Sequence, residues 1–160
     1  MIRFVAYLCI ITASYVVSSA ICKKLEREIY LQIAMIELVT TIKRSVLLYN
    51  ASPHLIASSF EHALFSEIGF TALVKEKGFS DAIQIYARDF GYSQYSERAL
   101  HSFLSDLGNL SLTEQIAFCE EMLTSLQKEL DGKRDEYPKK KKLYLTLGIC
   151  AGLCVVIILI

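Results

Sequence analysis

The chain has 160 residues, and its 17 Lys+Arg balance 17 Asp+Glu to a formal charge of zero. A mean hydropathy of +0.37 with 53% hydrophobic residues is too apolar for an ordinary soluble domain, while 21% charged residues are too many for a chain lying wholly within a bilayer. The length suits one domain, and balanced charge argues against a nucleic-acid binder, which needs surplus Lys and Arg to neutralise phosphates.

Phe4 to Cys22 is free of charge, and its 19 residues, at roughly 1.5 Å of rise each, give about 28 Å, close to the hydrocarbon thickness. Arg3 followed by an apolar run and Ser18-Ser19-Ala20 also fits a cleaved secretory signal. Beyond Cys22 the apolar pattern turns helical. Leu25, Ile29, Ile33 and Ile36 form one stripe, and Met35, Leu38, Ile42, Val46 and Tyr49 a neighbouring one. Asn50-Ala51-Ser52-Pro53 ends this helix, and Ser52 as N-cap with Pro53 behind it starts a second that should run to about Phe65, burying Ile56, Phe60, Ala63 and Leu64. A short helix from Phe70 to Lys77 closes at Gly78. Ser80 can cap the next, in which Phe79, Ile83, Tyr86 and Phe90 share a face and which Gly91 stops. Leu100, Phe103, Leu104 and Leu107 mark another, ending at Gly108. Ser111-Leu112-Thr113-Glu114 is a capping box, followed by Ile116, Cys119, Leu123, Leu126 and Leu130. A last charge-free run, Leu143 to Ile160, holds eleven Leu, Ile or Val in 18 residues and should insert into a bilayer by several kcal/mol.

No segment reads as a strand and no repeat is present. The expected fold class is all-α, an antiparallel bundle of five or six helices flanked by N- and C-terminal transmembrane helices, with a span over 1–22, a helical bundle over 23–142 and a span over 143–160. Lys23, Lys24 and Arg27 follow the first span, and Lys139, Lys140, Lys141 and Lys142 precede the second. The positive-inside rule then puts the bundle in the cytosol and both short ends outside, against the signal-peptide alternative. Cys9, Cys22, Cys150 and Cys154 fall in the spans and only Cys119 in the bundle, so no disulfide framework can form there.

Motifs for catalysis, phosphate binding or metal binding are missing from the sequence, and no catalytic, metal or cofactor residue is expected. His54 and His62, eight apart on one predicted helix with Glu61 nearby, read as a solvated face because nothing completes a ligand set. Cys150 and Cys154, a turn apart, read as small packing residues rather than a soft-metal site. Glu120 and Glu121 diverge around the helix and read as solvent-facing. Gly148-Ile149-Cys150-Ala151-Gly152 is a small-xxx-small motif that would let another helix approach closely, with chance occurrence as the alternative, since glycine is common in membrane helices.

In order and spacing these features resemble the stage III sporulation protein AB family of endospore-forming bacteria. The residues carrying the resemblance are the first span running into a basic helix, Ser52-Pro53, Leu107-Gly108 followed by Ser111 to Gln115, and Tyr144-x-x-Leu147-Gly148-x-x-x-Gly152-Leu153 before Ile157 to Ile160. The resemblance implies one copy of the cytosolic helical domain of type II secretion F proteins and no catalytic residues. It also implies a non-enzymatic role in the sporulation channel complex linking mother cell and forespore, with a secretion-type ATPase and other membrane subunits as partners. The implied location is the mother-cell membrane around the forespore. Two other readings remain: a membrane-anchored regulator with a soluble partner, and a general secretion or pilus platform, though such platforms usually carry two domain copies and at least three spans. Gly132 and Pro138 depart from a continuous last helix, and a kink or break is expected between residues 132 and 139.

The zero net charge is polarised along the chain. Residues 23–44 carry +2, residues 45–131 carry −7 and residues 132–142 carry +4. Lys139 to Lys142 can hold the stem against anionic headgroups at roughly 1 kcal/mol each. The acidic body either docks a basic partner surface, through residues such as Glu61, Asp81, Glu97 and Glu121, or is an ordinary solvated surface. Its sign excludes nucleic acid more firmly than the neutral total does.

Overall fold

The computed structural model describes residues 2–49, 56, 59–106 and 110–159. Among the described residues, two helices of 48 residues each, α1 (Ile2–Tyr49) and α6 (Leu112–Leu159), enclose four short ones in the chain order: α2 (Ala63–Glu67), α3 (Phe70–Lys77), α4 (Phe79–Phe90) and α5 (Gln94–Asp106). Among the described residues there is no strand, and both long helices are apolar enough over an 18-residue stretch to cross a membrane. The all-α class stands. Each long helix contributes to two compact units, one of residues 1–27 with 132–160 and one of residues 28–131.

In the unit of residues 28–131, one face of α1 supplies Leu31, Met35, Leu38, Ile42 and Val46, all buried and recurring every three or four residues. Of the two stripes legible on this helix, the one from Met35 is the core stripe, whereas Ile29, Ile33 and Ile36 are only half-buried. Across from it α6 buries Cys119, Met122, Leu126 and Leu130, with Met122 rather than Leu123 at the centre of the face. The short helices pack in sequence, α2 on α3, α3 on α4 and α4 on α5. Their aromatic rings meet around Phe70. Its ring centroid lies 4.8 Å from that of Phe65, 5.6 Å from those of Phe79 and Phe90, and 5.9 Å from that of Tyr86, mostly edge to face.

Glycine ends α3 and α4 as the sequence predicts, because Gly78 (φ 89°) and Gly91 (φ 61°) occupy backbone conformations that a Cβ opposes. Ser80, however, is not a cap. Gly78 precedes the first residue of α4, and Ser80 lies inside the first turn with its hydroxyl 2.8 Å from His101 Nε2 on α5. Ser93, unremarked in the sequence, does cap α5, accepting the Ser96 N–H at 3.2 Å.

The second predicted helix does not run through to Phe65. Its start at Ser52 and Pro53 lies outside the described residues, but residues 60–62 are not helical and a new helix begins at Ala63. His62 is extended (φ −134°, ψ 131°), and its Nδ1 accepts the Leu64 N–H at 3.3 Å, so the imidazole is the N-cap of α2. Its ring stacks on Phe60 and leans on Phe65, which draws Phe60 to the core edge at the expense of helical backbone.

Of the kink or break expected between residues 132 and 139, the break is absent, since α6 is unbroken from Leu112 to Leu159 with Pro138 inside it. Pro138 removes one N–H donor and crowds the carbonyl of Arg134. Both residues are exposed, so that carbonyl can turn to water, while Glu136 and Lys140 form an ion pair at 2.6 Å across the proline. Gly132 is helical and has open space around it.

The capping box is formed. Glu114 Oε2 accepts from the Ser111 N–H at 3.0 Å and from the Ser111 hydroxyl at 2.6 Å, while the Gln115 N–H closes the first turn on the Ser111 carbonyl at 2.9 Å. The Ser111 hydroxyl first, and then its backbone N–H, hold the Glu114 carboxyl below its usual range. A carboxyl depressed in the folded state contributes stability above its unfolded pKa and loses it as pH falls through the folded one. Protection factors at Thr113 to Gln115 in hydrogen exchange should therefore drop on the acidic side of the carboxylate range, and Ser111→Ala should lower them already at neutral pH.

Candidate functional site

In the unit of residues 1–27 and 132–160, small side chains let the two long helices close on each other. A Cβ built on Gly148 would fall on Ser18 Oγ, 2.8 Å from Ser18 Cβ and 3.2 Å from the Ser14 carbonyl oxygen. One built on Gly152 would lie 3.2 Å from Ser14 Oγ and 3.3 Å from Ile11 Cα. Approach this tight to a facing backbone is what a small-xxx-small face permits. Ser18 is buried, and its hydroxyl donates to the Ser14 carbonyl on its own helix at 3.0 Å, so this polar atom is satisfied without reaching outward.

The seam continues past the apolar ends. Cys22 Sγ lies 3.9 Å from the Lys141 carbonyl oxygen, the Tyr137 hydroxyl donates to Glu26 Oε2 at 3.2 Å, and the Lys141 ammonium sits 5.6 Å from the Tyr137 ring centroid. Each contact steps up α1 as it steps down α6, the signature of antiparallel packing. Desolvation and then the Glu26 carboxylate raise the Tyr137 phenol above its ordinary value, which keeps it a donor. Away from the seam both helices expose Leu8, Val16, Val17, Leu153, Ile157 and Ile158.

Gly148 and Gly152 thus meet α1 of the same chain, and Ser14 and Ser18 opposite them, of which the sequence marked only Ser18 as part of a possible cleavage site, form the other half of the contact. Lys139, Lys140, Lys141 and Lys142 are all exposed just beyond it. Lys140 pairs with Glu136, whose carboxyl is held below its usual range by that hydrogen bond first.

The acidic residues come from four different parts of the fold. Glu61 lies in the non-helical segment before α2, Asp81 in the first turn of α4, Glu97 in the first turn of α5 and Glu121 on α6, with Glu97 half-buried and the others exposed. Glu121 borders an open groove of about 410 Å³ lined also by Asp106, Leu110, Glu114, Ala117 and Phe118. Glu120 points elsewhere, to Lys43 Nζ on α1 at 2.7 Å.

Groups with chemical potential are committed to structure. His62 caps α2 and its Nε2 is 3.7 Å from Glu37 Oε2; His54 lies outside the described residues. Burial pushes the Cys119 thiol up to about 11, which leaves it unreactive. Among the described residues no three His, Cys, Asp or Glu side chains are placed to hold a metal.

These features define a class first: an all-α protein in which a net-acidic bundle is carried between two long helices whose apolar ends pair through small residues. The model of the stage III sporulation protein AB family matches residues 72–160, from the middle of α3 to the end of α6, and the chain belongs to that family, a family of sporulation proteins. Comparison with curated proteins returns no match, and comparison with solved structures returns none.

Proposed function

We propose that the chain is a non-enzymatic membrane platform of the sporulation channel complex between mother cell and forespore. The paired apolar ends of α1 and α6 cross the mother-cell membrane, the bundle stands in the cytosol, and a secretion-type ATPase and other membrane subunits assemble on it. The observation that carries this reading is the way charge follows structure. Residues 28–131 hold seven basic against fourteen acidic residues, net −7, whereas residues 1–27 with 132–160 hold ten against three, net +7. A basic collar beside apolar helix ends suits an anionic cytosolic leaflet. An acidic bundle suits a basic protein surface and repels nucleic acid.

Co-purification from membranes of sporulating cells tests the partnership. The ATPase should be recovered with the wild-type chain and released as salt rises. Replacing Glu61, Asp81, Glu97 and Glu121 by Gln or Asn should weaken binding by about tenfold, since exposed pairs contribute roughly 0.2–1 kcal/mol each. Binding that ignores both salt and the substitutions would remove the acidic surface from the account. Recovery of a soluble signalling protein in place of the ATPase would favour the regulator reading.

A further inference from the structure

We propose that Gln32, Tyr92 and Glu129 enclose an internal binding site for one water molecule, which latches the turn between α4 and α5 to both long helices. Gln32 on α1 is fully buried, and its amide nitrogen donates to the carbonyl of Phe90, the last residue of α4, at 3.0 Å. That carbonyl would otherwise be one of the orphan acceptors at a helix end. Because a carbonyl only accepts, the bond also fixes which way the Gln32 amide faces. From the other side, Glu129 Oε1 on α6 accepts the Ser93 N–H at 2.8 Å. Between these anchors the Tyr92 ring stacks on Phe90, centroids 5.9 Å apart.

Each of the three side chains keeps one oxygen that is shielded from solvent and has no protein partner: Gln32 Oε1, Glu129 Oε2 and the Tyr92 hydroxyl. Two of them are acceptors and the third is a donor. Burial, reinforced by the Glu129 charge, pushes the Tyr92 phenol well above its ordinary value, so it keeps its proton. A water molecule donates twice and accepts from the phenol, matching all three. A metal cation would face the phenol's proton. Buried polar groups that the protein leaves unpaired are met in this way by ordered water held through about three bonds.

A crystal structure of the full chain, at a resolution that shows ordered water, tests the site. The expected result is one peak within hydrogen-bonding distance of all three oxygens. Tyr92→Phe should abolish the peak and lower protection of the Ser93 amide by roughly tenfold in hydrogen exchange. In Glu129→Gln the single amide oxygen stays on the Ser93 N–H and the amide nitrogen faces the water, which can accept this second donor while still donating to Gln32 Oε1, so the peak should remain and leaves a readout even if the first variant folds poorly. A Tyr92 hydroxyl bonded directly to Glu129 or Gln32 with no peak would overturn the proposal. So would a peak that rubidium replaces with an anomalous signal, because the ligand would then be a monovalent cation.

Discussion

Gly148→Leu is expected to force the apolar ends of α1 and α6 apart while the unit of residues 28–131 stays folded. Even the first added carbon meets Ser18 Oγ and comes within 2.8 Å of Ser18 Cβ. Rotating the hydroxyl away relieves the first contact but not the second, and the Ser14 carbonyl at 3.2 Å is backbone that cannot turn aside. The helices must therefore separate, and the seam loses dispersion contacts that lipid replaces only in part. Overpacking of this kind costs about 1–3 kcal/mol. A cysteine pair at Ser14 and Gly152 reads the outcome, because a Cβ at Gly152 lies 3.3 Å from Ser14 Cβ, near the separation a disulfide spans. In a chain lacking Cys150 and Cys154, the pair should crosslink readily with Gly148 present and several-fold less with Leu there. Undiminished crosslinking would show that the glycine does not hold the seam.

Phe70→Ala should be the most damaging substitution within the bundle. Phe70 is 1% exposed and touches rings from α2 and α4, while α3 has only eight residues and cannot hold its shape without them. Truncation should cost about 3–5 kcal/mol, a large share of the 5–15 kcal/mol typical of a folded domain. Equilibrium unfolding of the detergent-solubilised chain measures it. Phe70→Leu, which refills much of the volume, should cost less than half as much. A loss below about 1 kcal/mol for Phe70→Ala would mean that the aromatic cluster is not the core of the short-helix layer.

The parts of this fold that were legible in the sequence are those set by neighbours along the chain. Phe70 to Lys77 reads correctly as a helix because Gly78 must end it, and the Ser111 and Glu114 box announces α6 because both partners lie within one turn. Features decided across the fold were not legible. Nothing local separates the core stripe of α1 from its half-buried neighbour. The break at residues 60–62 follows from where Phe60 and His62 pack, and the continuity through Pro138 from an exposed setting and a flanking ion pair. Gln32 looks like a polar interruption between apolar stripes, yet it is bound to a helix end 58 residues away.

The candidate site divides in the same manner. Gly148 and Gly152 were visible as a motif, and the lysines and carboxylates as charge. The partner of the glycines was not, because Ser14 and Ser18 acquire meaning only when the antiparallel register places them opposite. Tyr137 and Glu26 lie 111 residues apart and carried no signal of their own.

The central claim, that a two-helix hairpin anchors an acidic bundle on the cytosolic face, is tested most directly by thiol labelling of Asp89→Cys in intact growing cells made to produce the chain before any forespore forms, where the surface membrane is the one it enters. Asp89 is exposed on α4, outside the proposed partner surface. Native Cys119 is buried with its thiol pushed up to about 11 and should stay silent, and Cys9, Cys22, Cys150 and Cys154 are replaced by alanine. The account predicts that a membrane-impermeant maleimide leaves the introduced cysteine unmodified until the cells are permeabilised. Full labelling of intact cells would place the bundle outside and contradict it.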